Sequence, residues 1–169
     1  MSYNSNNQGK AFEPGWFLAN NEQCTRETKQ ISAEGVEADE YAQKIVKGGT
    51  AYPSNDANAI GIVYEDVNVT SGNMPGSVVT KGEVYEDRLA ITGESYDAVT
   101  PETGDNPKEK GWYERSGSAG AYVYTLTTDT TVTEGKTYYA KSVVRLAAAA
   151  KTALQGLGFK FKTVPTVTR

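Results

Sequence analysis

The sequence contains no histidine and a single cysteine among its 169 residues. The lack of histidine removes the usual general base near neutral pH and the commonest metal ligand. Cys24 alone cannot form an intrachain disulfide or a cysteine zinc site, so we interpret it as a small, partly buried side chain, with a reactive thiol as the rarer alternative. Without disulfides, the stability of the fold must come from packing and from assembly.

The sequence also lacks long apolar runs and any stripe of basic residues. No apolar run approaches the length of a membrane span, and the polar N-terminus has no apolar core of a secretory signal. Lysine and arginine number 17 against 21 aspartates and glutamates, so the formal net charge is −4. We therefore predict a protein that neither crosses a membrane nor binds the phosphate backbone of a nucleic acid.

Catalytic motifs are missing as well. The glycines form neither a Walker loop nor a dinucleotide fingerprint, and a serine or cysteine nucleophile has no histidine to activate it. Asp56 with Asn58, and Asp66 with Asn68, have the spacing of calcium loops, but the distal glutamate of that ligand set is absent and turn capping is the better interpretation. We predict that the chain is not an enzyme and has no catalytic residue, metal site or cofactor.

The most informative stretch runs from Lys47 to Leu89, where turn residues alternate with β-branched runs. Residues 59–64 are a short apolar run typical of a buried strand. Residues 71–76 have the composition of a turn, and residues 77–85 alternate loosely as one strand with a bend or bulge at Gly82. This stretch predicts a compact β unit that presents loops.

Weaker patterns flank this stretch. Residues 24–31 carry charges typical of an edge strand, and residues 44–47 indicate a second short strand. The four consecutive alanines within residues 142–154 predict a helix, and residues 157–162 alternate as a closing strand. The predicted fold class is mainly β, of the α+β type: a small barrel-like or sandwich-like domain with one C-terminal helix.

Residues 95–141 differ from the rest of the chain because they are rich in tyrosine and threonine. Three or four short strands separated by turns at hairpin distances are expected there, which predicts a small antiparallel β domain inserted into the first one. The chain then divides into an N-terminal arm of residues 1–19, a discontinuous domain of residues 20–94 plus 142–169, and the insert.

Several turn and strand segments outside the insert follow a distinctive order. They are Gly49–Thr50, Pro53–Ala57, Ala59–Val63, Asp66–Thr70, Gly82–Leu89, Ala147–Leu154 and Gly158–Phe159. This order resembles the head decoration proteins of tailed bacteriophages, of the lambda type. The resemblance implies a protein made in the host cytoplasm that docks as a homotrimer on the outer surface of the assembled capsid. It implies the major capsid protein as partner, and no catalysis.

Aromatic residues give the candidate binding sites. Phe12, Trp16 and Phe17 follow a polar start, and two interpretations remain open: a plug in the core, or an arm that anchors on the capsid. In the insert, some of the aromatic side chains must form its own core, and an exposed remainder could hold a sugar ring or a partner on the host surface. The candidates for that exposed surface are Trp112, Tyr113, Tyr122, Tyr124 and Tyr138.

Two other functions remain open at this point. One is a carbohydrate-binding or host-surface-binding module displayed on the virion, with the insert as its active part. The other is a component of a phage tail or baseplate. Cosedimentation with empty capsids and binding to arrayed glycans would separate the decoration protein from the first alternative.

Overall fold

The computed structural model describes residues 14–164. The chain forms two compact units: the first contains the chain up to Thr92 and the chain from Arg145 onward, and the second is Gly93–Val144. The predicted insert of residues 95–141 lies within the second unit. Among the described residues there are one α-helix, α1 at Ala148–Gly156, and one 3₁₀ turn at Glu86–Arg88. The strands are β1 Thr25–Ile31, β2 Ile45–Val46, β3 Ala51–Tyr52, β4 Gly61–Val63, β5 Val67–Asn68, β6 Met74–Lys81, β7 Glu83–Tyr85, β8 Gly93–Val99, β9 Tyr113–Ser116, β10 Val123–Leu126, β11 Tyr138–Val144 and β12 Lys160–Lys162.

The first unit is built around a four-stranded antiparallel sheet with the order β1-β6-β4-β3. Successive side chains of a strand point to opposite faces. Ile62 therefore lies with its partner Val79 on one face, and Val63 lies with its partner Val78 on the other. All four are buried, because an apolar cluster covers each face of the sheet.

The larger of the two clusters joins parts of the chain that are far apart in sequence. Phe17, Val84, Leu89 and Leu154 are fully buried in it beside Ile62. The segments before and after the second unit therefore share one core. The smaller cluster, on the other face, consists of Ile31, Val63, Val67, Val69 and Val78.

The predicted strand at residues 77–85 is two strands in two different sheets. β6 begins at Met74 and so includes residues predicted as a turn. Gly76 suits this strand, because a Cβ there would come within 2.8 Å of side-chain atoms of Ile31 and Val67. At Gly82 the chain leaves the main sheet, and β7 pairs in parallel with β12.

Helix α1 begins later than predicted, because residues 142–144 extend β11. Its buried residues, Ala150 and Leu154, pack into the larger cluster. Lys151 Nζ lies 2.5 Å from Glu86 Oε2 on the 3₁₀ turn, which ties the helix to the middle of the chain.

Asn55 joins the two chain segments that border the second unit. Its Nδ2 donates to Thr92 Oγ1 at 3.1 Å and to the Arg145 carbonyl at 3.2 Å, and its Oδ1 accepts from the Ala147 N–H at 2.8 Å. Thr92 Oγ1 also donates to the Arg145 carbonyl, at 3.2 Å. One half-buried side chain from the turn after β3 therefore holds both segments in place.

The second unit is a four-stranded antiparallel sheet with the order β10-β9-β11-β8. One of its faces is covered by the unit's own loops. Trp112 and Tyr138 pack there with 5.8 Å between ring centroids, and Pro107 and Thr127 are buried as well. Even this small sheet therefore has an aromatic core.

The fold class predicted from the sequence is confirmed in its main terms, since the described residues are mainly β, with 36% in strands and 8% helical, and they form one α-helix and several antiparallel sheets. The barrel form of the prediction is not found, because no sheet within residues 14–164 closes on itself. In the same range, no helix is long and apolar enough to cross a membrane.

Candidate functional site

Residues 14–19, the described part of the predicted N-terminal arm, are built into the first unit. Phe17 is fully buried, and its carbonyl accepts a hydrogen bond from the Tyr85 N–H at 2.8 Å. This corrects the predicted arm boundary at residue 19, and of the two interpretations for Phe17 the core plug is the right one. Trp16 is half-buried against the same cluster, and Phe12 lies outside the described residues.

Trp16 lines an open cavity of about 390 Å³ on the first unit. Leu89 and Ile91 supply apolar walls, and they differ in exposure: Leu89 is fully buried, whereas 57% of Ile91 is exposed. The other lining residues are Lys47, Gly48, Asp66, Asp87, Ala90 and Arg145. No sequence pattern pointed to this site, because its walls come from five separate segments of the chain.

The charged side chains around this cavity have partners within the first unit. Lys47 Nζ lies 2.9 Å from Asp66 Oδ2, and the Gly48 N–H donates to Asp66 Oδ1 at 2.8 Å. The Arg145 guanidinium donates to the Leu89 carbonyl. What the cavity offers a ligand is therefore mainly its apolar wall, which fits an apolar side chain of a partner better than an ion.

The second unit presents a face lined with tyrosines on the side of the sheet opposite Tyr138. Residues paired across neighbouring strands point to the same side of a sheet. Tyr113 pairs with Leu126 on one side and with Tyr139 on the other, Tyr124 pairs with Arg115, and Tyr96 pairs with Lys141. We call this the tyrosine face; its residues are Tyr96, Tyr113, Arg115, Tyr124, Leu126, Tyr139 and Lys141.

The four tyrosine rings of this face contact one another. Tyr96 and Tyr124 are stacked, with centroids 4.0 Å apart and an interplanar angle of 6°. Tyr113 meets Tyr96 edge-on at 5.2 Å, and Tyr139 meets Tyr124 edge-on at 5.3 Å. Such mutual packing fixes the rings in place. Tyr139 is buried and forms the floor, whereas the other three are half-buried and present part of their rings to solvent.

Arg115 lies over this floor. Its guanidinium carbon is 4.2 Å from the ring centroid of Tyr122 and 5.0 Å from that of Tyr139. No carboxylate within residues 14–164 forms an ion pair with Arg115. A guanidinium that stacks on aromatic rings keeps its in-plane N–H donors available to a ligand.

At the edge of the tyrosine face formed by β8 and β11, the charged side chains are paired with one another. Tyr96 Oη donates to Glu94 Oε2 at 3.0 Å, and Lys141 Nζ lies 2.5 Å from Glu94 Oε1. The hydrogen bond from Lys141 lowers the pKa of Glu94, and the same contact raises the pKa of Lys141. Arg115 is thus the one cation of the face that is left without a carboxylate among the described residues.

Two of the five residues predicted for an exposed recognition surface are not exposed. Trp112 and Tyr138 are buried on the other side of the sheet, where they form the core of the second unit. Tyr113, Tyr122 and Tyr124 do lie on or beside the tyrosine face.

Sequence reasoning did not include Tyr96, Tyr139 or Arg115 in that surface. The alternation of side chains along a strand was the signal that could have found two of them. It separates Tyr139 from the neighbouring Tyr138, and it places Arg115 on the same side as Tyr113.

A polar cluster lies beneath the buried face of the second unit. Lys136 Nζ is 2.8 Å from both Glu114 Oε1 and Asp129 Oδ2, and Tyr138 Oη donates to Asp129 Oδ2 at 2.6 Å. Thr127 donates its hydroxyl to Glu114. The hydrogen bonds from Lys136, first, and from the hydroxyl groups lower the pKa of both carboxyls, and the two carboxylates raise the pKa of Lys136.

Residues 14–164 contain no group of three histidine, cysteine, aspartate or glutamate side chains that could hold a metal ion. Cys24 is half-buried, and its Sγ donates to the Asn21 carbonyl at 3.1 Å. Comparisons of the chain with protein-family models, with curated proteins and with solved structures found no match.

Proposed function

We propose that this chain is a non-enzymatic structural protein of a tailed-phage virion, which binds the outside of the assembled capsid as a trimer and stabilises the shell. In this proposal the first unit docks on the major capsid protein. Because the protein binds the assembled shell and not free coat subunits, its binding shifts the equilibrium between free and assembled coat subunits toward the shell. A symmetric oligomer contacts several coat subunits at once, so each contact can be modest.

The observation that carries the proposal is the packing of the segments that resemble decoration proteins. Those segments lie on both sides of the second unit in sequence, yet they share one core. Gly82–Leu89 contains β7, which pairs in parallel with β12, and Glu86 in the same segment pairs with Lys151 on the helix. Leu89 and Leu154 lie in the same apolar cluster. This is the arrangement expected if the segments belong to one docking domain.

The cavity beside Trp16 is the best candidate for the docking contact on the first unit. Lys47 and Asp66 in its lining pair with each other, and Ile91 contributes exposed apolar surface to the same lining. Exposed apolar surface at a concave site is typical of an interface.

Cosedimentation with expanded phage heads that lack decoration protein tests the proposal. We expect saturable binding, a rise in the temperature at which the shell dissociates, and trimers in a capsid map. Absence of binding to such heads would refute the proposal. A map that shows isolated monomers or dimers would refute the trimer.

A point variant tests the cavity. We expect Ile91→Ser to weaken shell binding about tenfold, since a buried aliphatic side chain at an interface contributes about 1.5–3 kcal/mol. Ile60→Ser is the matched control: 42% of Ile60 is exposed and it does not line the cavity. If both variants bind the shell like the unmodified protein, the docking contact lies elsewhere.

A further inference from the structure

Arg115 is held by aromatic rings and left without an acidic partner within the described chain. Its guanidinium packs against Tyr122 and Tyr139. Lys141, the other cation of the tyrosine face, is paired with Glu94. An exposed arginine that is fixed in this way has already lost part of its side-chain entropy, so less is lost when a ligand binds.

We propose that the tyrosine face binds acidic polysaccharide, with Arg115 receiving a sugar carboxylate and the surrounding rings packing against the sugar. This inference goes beyond the proposed docking function and does not depend on it, because every residue that it uses lies in the second unit.

Charge complementarity defines the first part of the ligand. A planar guanidinium binds a carboxylate through two parallel N–H···O bonds. The second unit as a whole has more acidic than basic side chains, and the net charge of the chain is −4, so long-range attraction does not draw a polyanion to it. Binding of a polyanion would therefore report a local site that contains Arg115.

The rings define the second part of the ligand. Tyr96, Tyr113 and Tyr124 lie half-exposed on one face, and 42% of Tyr122 is exposed beside them. Tyrosine combines a rigid apolar ring with a hydroxyl, and it loses little entropy on binding. A pyranose ring has the matching chemistry, because it carries apolar C–H faces and a rim of hydroxyl groups. Several rings over one sheet face suit a repeating chain of sugars.

The test uses the full-length protein and three polymers of defined chemistry, measured by isothermal titration calorimetry: oligogalacturonate, neutral dextran fragments and poly-L-glutamate. We expect saturable binding of oligogalacturonate, and at least about tenfold weaker binding of the other two polymers. Dextran lacks the carboxylate, and a charge-assisted hydrogen bond contributes about 1.5–3 kcal/mol. Poly-L-glutamate has carboxylates but no sugar ring to pack against the tyrosines.

Substitutions assign the binding to the tyrosine face. Arg115→Gln should weaken oligogalacturonate binding about tenfold or more. Arg115→Lys should also weaken it, because lysine keeps the positive charge but lacks the planar guanidinium that donates two parallel hydrogen bonds to a carboxylate. Tyr122→Ala should weaken it by removing one ring. Arg26→Gln is the matched control: Arg26 is also an exposed arginine over a tyrosine, 4.4 Å from the ring centroid of Tyr64, but it lies in the first unit.

Several results would overturn the inference. They are no binding of oligogalacturonate, equal binding of dextran, equal binding of poly-L-glutamate, or an equal loss in Arg26→Gln and Arg115→Gln. Cosedimentation of Arg115→Gln with heads should match the unmodified protein. Failure of sugar binding and failure of shell docking are therefore observed separately.

Discussion

Single polar side chains join segments of the first unit that are far apart in sequence. Asn55 is the clearest case, because its amide serves three partners on two segments: Thr92, Arg145 and Ala147. Sequence reasoning recognised Asn55 as part of a turn, which is correct. It could not supply the partners, since they lie up to 92 residues away in the chain.

We expect Asn55→Ala to lower the free energy of unfolding of the first unit by about 1–3 kcal/mol, because the Ala147 N–H loses its acceptor and the Arg145 carbonyl loses one of its two donors. Hydrogen exchange of the amides in β4 and α1 measures this. Asn20→Ala is the control, since within residues 14–164 the Asn20 Oδ1 accepts only from the local Glu22 N–H. Equal exchange in the two variants would contradict the role of Asn55.

For the aromatic residues, the sequence did not predict which individual side chains are buried and which are exposed. Composition predicted that the tyrosines and the tryptophan of the second unit divide between a core and an exposed surface. It did not assign each side chain, because two adjacent tyrosines such as Tyr138 and Tyr139 differ only in the direction in which they point. Phe17 posed the same problem, and the structure answers it, because Phe17 is fully buried in the cluster that contains Val84 of β7.

At the scale of elements, local patterns located most strands but not their partners. The edge position of β1 was predicted from its charges, and β1 does lie at the edge of the main sheet. Residues 77–85 were predicted as one bent strand, because a glycine such as Gly82 indicates an irregularity but not that the chain moves to a different sheet there. The parallel pairing of β7 with β12 joins residues that are far apart in sequence, which periodicity cannot reveal.

The polar cluster under β9 and β11 makes the second unit sensitive to acid. The folded-state pKa values of Glu114 and Asp129 are lowered, first by Lys136, so the stability that they contribute is present above their ordinary pKa values of about 4 and is lost as the pH falls through the lower, folded values. We expect the melting temperature of the second unit to fall as the pH is lowered from about 5.

Asp129→Asn and Glu114→Gln together should reduce this pH dependence, without abolishing it, because Glu94 and Asp105 also have lowered pKa values in this unit. Thermal unfolding followed by the fluorescence of Trp112, in a Trp16→Phe background, measures the second unit alone. A melting temperature whose pH dependence is the same in the double variant would contradict the assignment.

At the scale of the whole molecule, the two compact units divide the chain in a way that can be tested by deletion. We expect replacement of residues 93–144 by a short Gly/Ser linker to leave the first unit folded, because Thr92 and Arg145 are already joined by a hydrogen bond of 3.2 Å and by Asn55. The shortened protein should bind heads as before and should lose oligogalacturonate binding. Unfolding of the shortened protein, seen by circular dichroism, would show that the first unit needs the second.

The first and last residues of the second unit, Gly93 and Val144, face each other across the ladder between β8 and β11. Paired residues in an antiparallel ladder have Cα atoms only about 4.5–5.5 Å apart. The second unit is therefore fifty-two residues long, yet its two ends are as close together as the ends of a tight hairpin. Any domain whose two ends lie this close together could therefore replace the second unit between Thr92 and Arg145 without changing the distance that the chain must span.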